Sequence, residues 1–185
     1  MTETPWYSQL REAWKPSQVR LLLIAESAPD DGGDPNNRRF FYSDRLGHDN
    51  LFRGVVAAMY GTTKDDLAKQ GKRPWLERLR DDGFYLIDLM PHPVNASQTH
   101  LRRRRIEYVN DCVHRASELN PDGIIVVKKD LYHLLRDPIQ AAGLTLLHDT
   151  GIAFPLGNTR GEFITGFNTA RQRLQPSSGG PGDSA

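Results

Sequence analysis

Residues 19–25 read VRLLLIA, and this apolar run decides the fold. Strands that bury both faces in a parallel sheet are apolar throughout, whereas a strand with one wet face alternates apolar and polar residues. Comparable stretches follow at 84–89, 123–127 and 144–148. The sequence therefore predicts a central four-stranded parallel sheet.

Helical patterns lie between these strands. They cover about 49–60, 74–81, 101–119 and 130–142, with a last one at about 159–174. Because strands that alternate with helices require right-handed crossovers, the helices cover both faces of the sheet. We expect an α/β fold, a three-layer α/β/α sandwich formed by residues 19–174.

The two ends of the chain differ from this pattern. Residues 1–18 carry Trp6, Tyr7 and Trp14 at spacings that suit an amphipathic helix packed on the domain, and Pro16 ends that helix. Residues 175–185 read QPSSGGPGDSA. This stretch is too rich in Gly, Pro and Ser to form a packed core, so we expect it to be disordered.

Composition restricts the class of protein. The 185 residues suit one domain, and the lone Cys112 cannot form an internal disulfide. Neither a signal-peptide pattern nor an apolar run of about 20 residues is present. We therefore expect a soluble, cytoplasmic, monomeric protein without a membrane partner.

Charge and motifs restrict its ligands. The net charge is only +1, so a nucleic-acid partner would have to be met by a local basic patch. The sequence has no Cys or His cluster with zinc or iron–sulfur spacing and no glycine-rich phosphate loop. We predict no metal and no cofactor.

The first strand leads into a polar cluster, AESAP at 25–29, and a long loop that closes with RRFFY at 38–42. Ligands of open α/β sheets bind beyond the carboxyl ends of the strands. A pocket for an extruded base needs polar groups and a ring to stack on the base. The pattern predicts such a pocket, or else an ordinary strand exit anchored by aromatic residues.

Three motifs resemble those of the uracil-DNA glycosylase superfamily. AESAP at 25–29 looks like its first motif, and LIDLMP at 86–91 lies where family members carry a base-recognising asparagine. FPLGN at 154–158 is similar to the family loop that presses on the DNA backbone. The resemblance covers residues 19–174 and implies a monofunctional DNA glycosylase, which hydrolyses an N-glycosidic bond and leaves an abasic site.

The chain departs from the family pattern at informative positions. Ser27 stands where several branches place a water-activating Asp or Asn, Ala28 where the family proline stands, and Pro29 where a tyrosine packs against C5 of uracil. Asp88 replaces the asparagine, and an ionised carboxylate only accepts hydrogen bonds, which suits the exocyclic amine of cytosine.

These departures favour a damaged or modified pyrimidine as substrate. A 5-substituted cytosine, as in hypermodified phage DNA, fits Asp88 and Pro29. Plain uracil repair and a noncatalytic module that binds nucleic acid or a nucleotide are the alternatives. For Asp88 itself, a helix cap or an ion pair at the sheet edge is a structural alternative.

Candidate site residues follow from this chemistry, which needs a carboxylate or held water below the sugar and donors at the leaving base. Glu26 would orient water or stabilise the sugar cation, and Ser27 would hold the water. His92 and Asn158 are candidates to stabilise the leaving base, although a structural role for His92, as for His148, is equally open. The candidate base-binding residues are Asp88, Phe40, Phe41, Tyr42 and Pro29.

DNA contacts are expected from cations and from a wedge that replaces the flipped base. Phe40, Phe154 and Leu156 are the candidate wedges. The arginines at 102–105 are further candidates for contact with the DNA backbone, but they cannot share one helix face, so some of them are interpreted as solvated surface. The candidate DNA-binding residues are Arg38, Arg39, Lys128, Lys129, Leu156 and Arg160.

Overall fold

The computed structural model describes residues 5–95 and 98–174. The helices in these ranges are α1 (Trp6–Ala13), α2 (Asn50–Tyr60), α3 (Lys64–Gln70), α4 (Arg73–Asp81), α5 (Thr99–Arg103), α6 (Val109–Leu119), α7 (Lys129–Ala141) and α8 (Arg160–Arg171). The strands are β1 (Leu21–Ala25), β2 (Phe84–Asp88) and β3 (Gly123–Val126). Short 3-10 turns cover Pro35–Asn37, Arg104–Tyr108 and Gly157–Thr159.

The sheet is parallel, with the strand order β2-β1-β3. Leu23 in the central strand pairs with Leu86 on one side and Ile125 on the other. All residues of the three strands are buried, which confirms the prediction drawn from their uniform apolarity.

The prediction of a fourth strand at 144–148 is wrong for the described structure, because the sheet has three strands. Leu146 of this segment forms an isolated bridge to Ile124 of β3, and Ile152, beyond the segment, forms a second one to Val127. Between these bridges, Nε2 of His148 accepts a hydrogen bond from the Val126 N–H at 2.9 Å. Because the backbone N–H of Val126 donates to a side chain, no continuous ladder of backbone hydrogen bonds forms along this edge of β3.

The hydrogen bonds of His148 also fix its tautomer. Nε2 accepts from Val126, so Nδ1 carries the proton and donates to the Thr150 carbonyl at 2.8 Å. Burial lowers the pKa of His148 and keeps the ring neutral. His148 therefore has the structural role that the sequence left open.

The helical predictions hold for α2, α4, α7 and α8, but the helix predicted at 101–119 is broken. It consists of α5, the 3-10 turn Arg104–Tyr108 and α6. Arg102 at the end of α5 and Arg105 in the 3-10 turn are three residues apart, and both reach the same carboxylate, Glu26. Helix α3 was not predicted.

The predicted N-terminal helix is confirmed as α1, and it packs on the domain. Trp6 meets Phe40 edge to face, with ring centroids 5.9 Å apart. The tail at 175–185, predicted to be disordered, lies outside the described residues. Within the described ranges, every helix is too short or too polar to cross a lipid bilayer.

Candidate active site

A cavity of about 540 Å³ lies beyond the carboxyl ends of the strands. Its volume is within the range of pockets that hold small ligands. The wall contains residues 25–29 after β1, residues 39–41 and 48–51 of the following loop and helix α2, Asp88 from β2, and Lys128 after β3. The cavity thus occupies the position at which open α/β sheets bind ligands.

Glu26 is the centre of a charge cluster at this cavity, with a side chain that is 11% exposed. Arg105 donates to its Oε1 at 3.0 Å, Lys128 donates to Oε2 at 2.7 Å, and Arg102 also hydrogen bonds Oε2. Arg105 pairs with Asp130 as well, at 2.7 Å. Three cations therefore face two carboxylates, which leaves an excess of positive charge.

These cations decide the protonation state of Glu26. Burial by itself raises the pKa of this carboxyl, but the hydrogen bonds from Arg102 and Lys128 outweigh burial and lower the pKa. Glu26 is therefore ionised at neutral pH, and it can accept hydrogen bonds but cannot serve as a general acid.

Lys128 is held in an unusual backbone conformation. Its φ is 84°, in a region that residues other than glycine rarely adopt. Its N–H donates to the Ile152 carbonyl at 3.0 Å, and this contact fixes the chain between β3 and α7. Strain of this kind is often found at functional sites, and here it directs the ammonium group to Glu26.

Asp88 is buried and lines the cavity at the end of β2. Arg11 of α1 donates from Nη2 to its Oδ2 at 2.7 Å. Burial raises the pKa of Asp88, and the charge of Arg11 opposes this rise. Asp88 therefore forms the ion pair that was one of the two interpretations, and it is also placed for the other, contact with a ligand.

The aromatic residues of the RRFFY segment divide between two roles. Phe40 and Phe41 are buried and line the cavity, and Phe41 stacks on Phe84 with centroids 5.7 Å apart. Tyr42 does not line the cavity. Its hydroxyl accepts the Leu86 N–H at 2.6 Å and so pairs a backbone group on the outer edge of β2. We therefore assign Tyr42 a structural role in place of the predicted contact with a base.

The small residues of the AESAP segment lie in the cavity wall. Ser27 and Pro29 both line it, and Pro29 is exposed. The Ser27 hydroxyl donates to the Val94 carbonyl at 3.3 Å, and its lone pairs stay available as acceptors. These positions are compatible with the predicted contacts to a water molecule and to a base.

The rim of the cavity carries two of the predicted DNA-binding residues besides Lys128. Leu156 is 52% exposed, and Arg39 is exposed. The other candidate wedges differ from Leu156, because Phe154 is half-buried and Phe40 is fully buried. Leu156 is therefore the one of the three that can enter a duplex without leaving the core.

The remaining candidate residues lie outside the cavity wall. Arg38 pairs with Asp31 at 3.0 Å, Lys129 pairs with Glu162 at 2.6 Å, and Arg160 begins α8. His92 packs edge to face on Tyr108. Asn158 is exposed in the turn after Leu156. The structure thus does not bring His92 or Asn158 to the cavity as donors for a leaving base.

Four residues complete the site, two that the sequence did not single out and two from the run of arginines at 102–105. Asn95 lines the cavity, and its Oδ1 accepts the Asp30 N–H at 3.0 Å. Arg102 and Arg105 hold Glu26, and Arg11 holds Asp88. The run of arginines was visible in the sequence, but no local pattern connects Arg11 with Asp88, which is 77 residues away.

No family model, no curated protein and no solved structure matches this chain. Within the described residues, no group of three His, Cys, Asp or Glu side chains is arranged to hold a metal ion.

Proposed function

We propose that this protein is a DNA glycosylase that hydrolyses the N-glycosidic bond of a modified pyrimidine and leaves an abasic site. The observation that carries the proposal is the cavity beyond β1 and β2. It combines an ionised carboxylate (Glu26), a buried carboxylate (Asp88) and an aromatic wall. The motif resemblance at 25–29, 86–91 and 154–158 supports the same fold family and the same reaction.

The cavity wall supports a cytosine derivative as the base. Phe40 and Phe41 offer apolar surface for a planar ring. Asp88, when ionised, accepts a hydrogen bond from an exocyclic amine and repels a carbonyl oxygen at the same position. Pro29 lies where the resemblance places a tyrosine against C5, and its small ring leaves space for a 5-substituent.

The charge cluster around Glu26 supports the proposed hydrolysis of the N-glycosidic bond. In the proposed reaction, a water oxygen bonds to C1′ of the sugar and the bond from C1′ to the base nitrogen breaks. The base takes the bonding electrons, the water releases one proton, and the base finally gains a proton from solvent, so that the charges balance. Oε1 of Glu26 receives a hydrogen bond from Arg105, and its second lone pair can orient that water. The negative charge of Glu26 also stabilises the positive sugar in the transition state.

The surplus cations suit DNA. Arg102 and Lys128 lie beside Glu26 in the cavity wall and can stabilise the anionic leaving base or a phosphate. Leu156 on the rim supplies the wedge that fills the gap left by a flipped nucleotide. Arg39 adds positive charge at the mouth.

A panel of DNAs tests the proposal. The protein is incubated with uracil-containing, unmodified and hypermodified phage DNA, and alkali then converts abasic sites into strand breaks. We expect breaks in one modified DNA only. Glu26→Gln should abolish these breaks and leave DNA binding equal or tighter, because three cations lose their counterion. Glu162→Gln, which removes an exposed carboxylate outside the cavity wall, is the matched control.

A noncatalytic nucleic-acid-binding module is the second candidate, and the saturation of Glu26 by three cations favours it. In such a module Glu26 only neutralises neighbouring charges. The wild-type protein would then bind DNA without breaking any substrate of the panel, and Glu26→Gln would change affinity alone. Breaks confined to uracil-containing DNA would instead identify a uracil repair enzyme.

A further inference from the structure

We propose that Arg11 of α1 is a positioning residue for base recognition, which holds Asp88 as an ionised acceptor at the base-binding end of the cavity. This inference rests on the proposed function and extends it to the N-terminal helix, which contributes no residue to the cavity wall. Arg11 would act through Asp88 without touching the substrate.

The contact between Arg11 and Asp88 joins two buried side chains. Nη2 of Arg11 lies 2.7 Å from Oδ2 of Asp88, and the side chains are 12% and 3% exposed. The Arg11 guanidinium also lies over the Phe40 ring, 5.5 Å from its centroid. Arg11 thus contacts both Asp88 and Phe40, a polar and an aromatic residue that the proposed base would meet.

Stability alone does not account for this pair. Buried ion pairs are commonly no more stabilising than well-packed apolar residues of similar volume. Nε of Arg11 is also buried without a hydrogen-bond partner among the described residues, which costs stability. Since Asp88 borders the cavity, selection for its charged form explains the pair better than selection for stability does.

Among the neighbours of Asp88, Arg11 is the cation that hydrogen bonds to its carboxylate. Arg115 of α6 donates to the backbone carbonyls of Asp88 and Leu89 at 3.0 Å. Tyr42 and Cys112 are the other titratable groups that interact with this carboxyl, and burial raises the pKa of both, so they stay neutral. Burial raises the pKa of Asp88 above its ordinary value, and the charge and hydrogen bond of Arg11 are the largest effects that oppose this rise, with a smaller one from the charge of Arg115.

Loss of Arg11 would change which bases are accepted. A protonated Asp88 carries an O–H that can donate to O4 of uracil, whereas the ionised form repels that oxygen. A variant without the guanidinium should therefore accept uracil increasingly as the pH falls, and it should resemble Asp88→Asn at low pH.

The experiment compares Arg11→Met, Arg11→Lys, Lys15→Met and the double variant Arg11→Met with Asp88→Asn. Lys15 follows α1, is 43% exposed and pairs only loosely with Glu12, so its removal controls for the lost charge. For each variant, kcat/KM is measured between about pH 6 and about pH 8 on duplexes with uracil or with the modified cytosine that the wild type excises. Binding of the same duplexes, by fluorescence anisotropy, gives the preference without turnover, and circular dichroism verifies folding.

We expect Arg11→Met to raise the preference for uracil over modified cytosine at least about tenfold at the acid end, because a donor then faces O4 of uracil where an ionised carboxylate would repel it. Arg11→Lys and Lys15→Met should match the wild type, and the double variant should show no pH dependence of the preference. An unchanged preference, or an equal loss on both bases at every pH, would overturn the inference. If the wild type makes no abasic sites but Arg11→Met shifts the binding preference, the glycosylase proposal fails and the inference stands.

Discussion

Glu26 shows how neighbours set the chemistry of a single residue. As a carboxylate at the end of a buried strand, it is placed where a ligand would be met, but Arg102, Arg105 and Lys128 all hydrogen bond to it. Its charge is therefore fixed, and the cluster links the end of β1 to the segments after β2 and β3. The same contacts serve the stability of the fold and the electrostatics of the cavity.

Glu26→Gln should alter the acid limb of the stability curve. The folded-state pKa of Glu26 lies below its ordinary value of 4.5, so its stabilisation is fully present above about pH 4.5 and is lost as the pH falls through the folded-state value. We expect the variant to lose about 1–3 kcal/mol at neutral pH and to show a shallower acid limb. Urea denaturation between pH 3 and pH 7 measures both; superimposable wild-type and variant curves would contradict the assignment.

Asp88→Asn should shift the preference for a base towards uracil. An amide can donate to O4 and accept from N3–H, whereas the carboxylate only accepts. We expect the ratio of uracil to modified-cytosine excision to rise at least about tenfold. Competition assays with the two duplexes measure the ratio, and an unchanged substrate profile would count against contact between Asp88 and the base.

At the scale of elements, the loop that presents Leu156 is fixed by its packing against α2. A Cβ atom at Gly54 would lie 2.8 Å from Cβ of Pro155 and 3.0 Å from Cε1 of Phe163. Glycine is required there because α2, this loop and α8 approach each other too closely for any side chain. The position of Leu156, the proposed wedge, therefore depends on a residue inside a helix.

Gly54→Ala should displace this loop. Alanine favours the helix by about 0.5–1 kcal/mol, but the rigid Pro155 ring would have to move. We expect a lower melting temperature and weaker binding to duplex DNA. Gly161→Ala in α8 is the matched control, because a Cβ atom there meets nothing within 4 Å, and it should stabilise the protein. A Gly54→Ala protein as stable as the Gly161→Ala protein would contradict this account.

The whole molecule is nearly neutral, yet its cations are unevenly distributed around the cavity. The net charge is +1, while Arg39, Arg102 and Lys128 line the cavity. The cluster around Glu26 carries one positive charge in excess, because Arg102, Arg105 and Lys128 face only Glu26 and Asp130. Because phosphate contacts release counterions, the proposed binding of DNA to this patch would have a salt dependence that the net charge does not reveal.

Arg39→Gln should reduce this salt dependence. If Arg39 contacts one phosphate, the slope of log affinity against log salt becomes smaller by about 1. Lys64→Gln, an exposed cation on α3 outside the cavity wall, should leave the slope unchanged. Fluorescence anisotropy over a salt series measures both slopes, and equal slopes for the two variants would exclude Arg39 from the DNA contact.

The sequence by itself determined most of the elements, but not helix α3, the break between α5 and α6 or the absence of a fourth strand. Mostly apolar residues at 19–25 and 84–89 predicted buried parallel strands, and the 3.6-residue period predicted α2 and α7. It also predicted that the polar residues after β1 would line the cavity. These features were readable because strand burial and helix periodicity depend on residues that are neighbours in the chain.

Only the tertiary structure decided the partners of those residues. Asp88 meets Arg11 over 77 positions and Glu26 meets Lys128 over 102, and His148 replaced the fourth strand by bonding Val126 with its ring. Such contacts depend on how segments remote in the chain pack in three dimensions, and no local sequence pattern indicates which remote residues meet. Most helices and strands could therefore be predicted from the sequence, whereas the charge states and contact partners of the site residues depend on the tertiary structure.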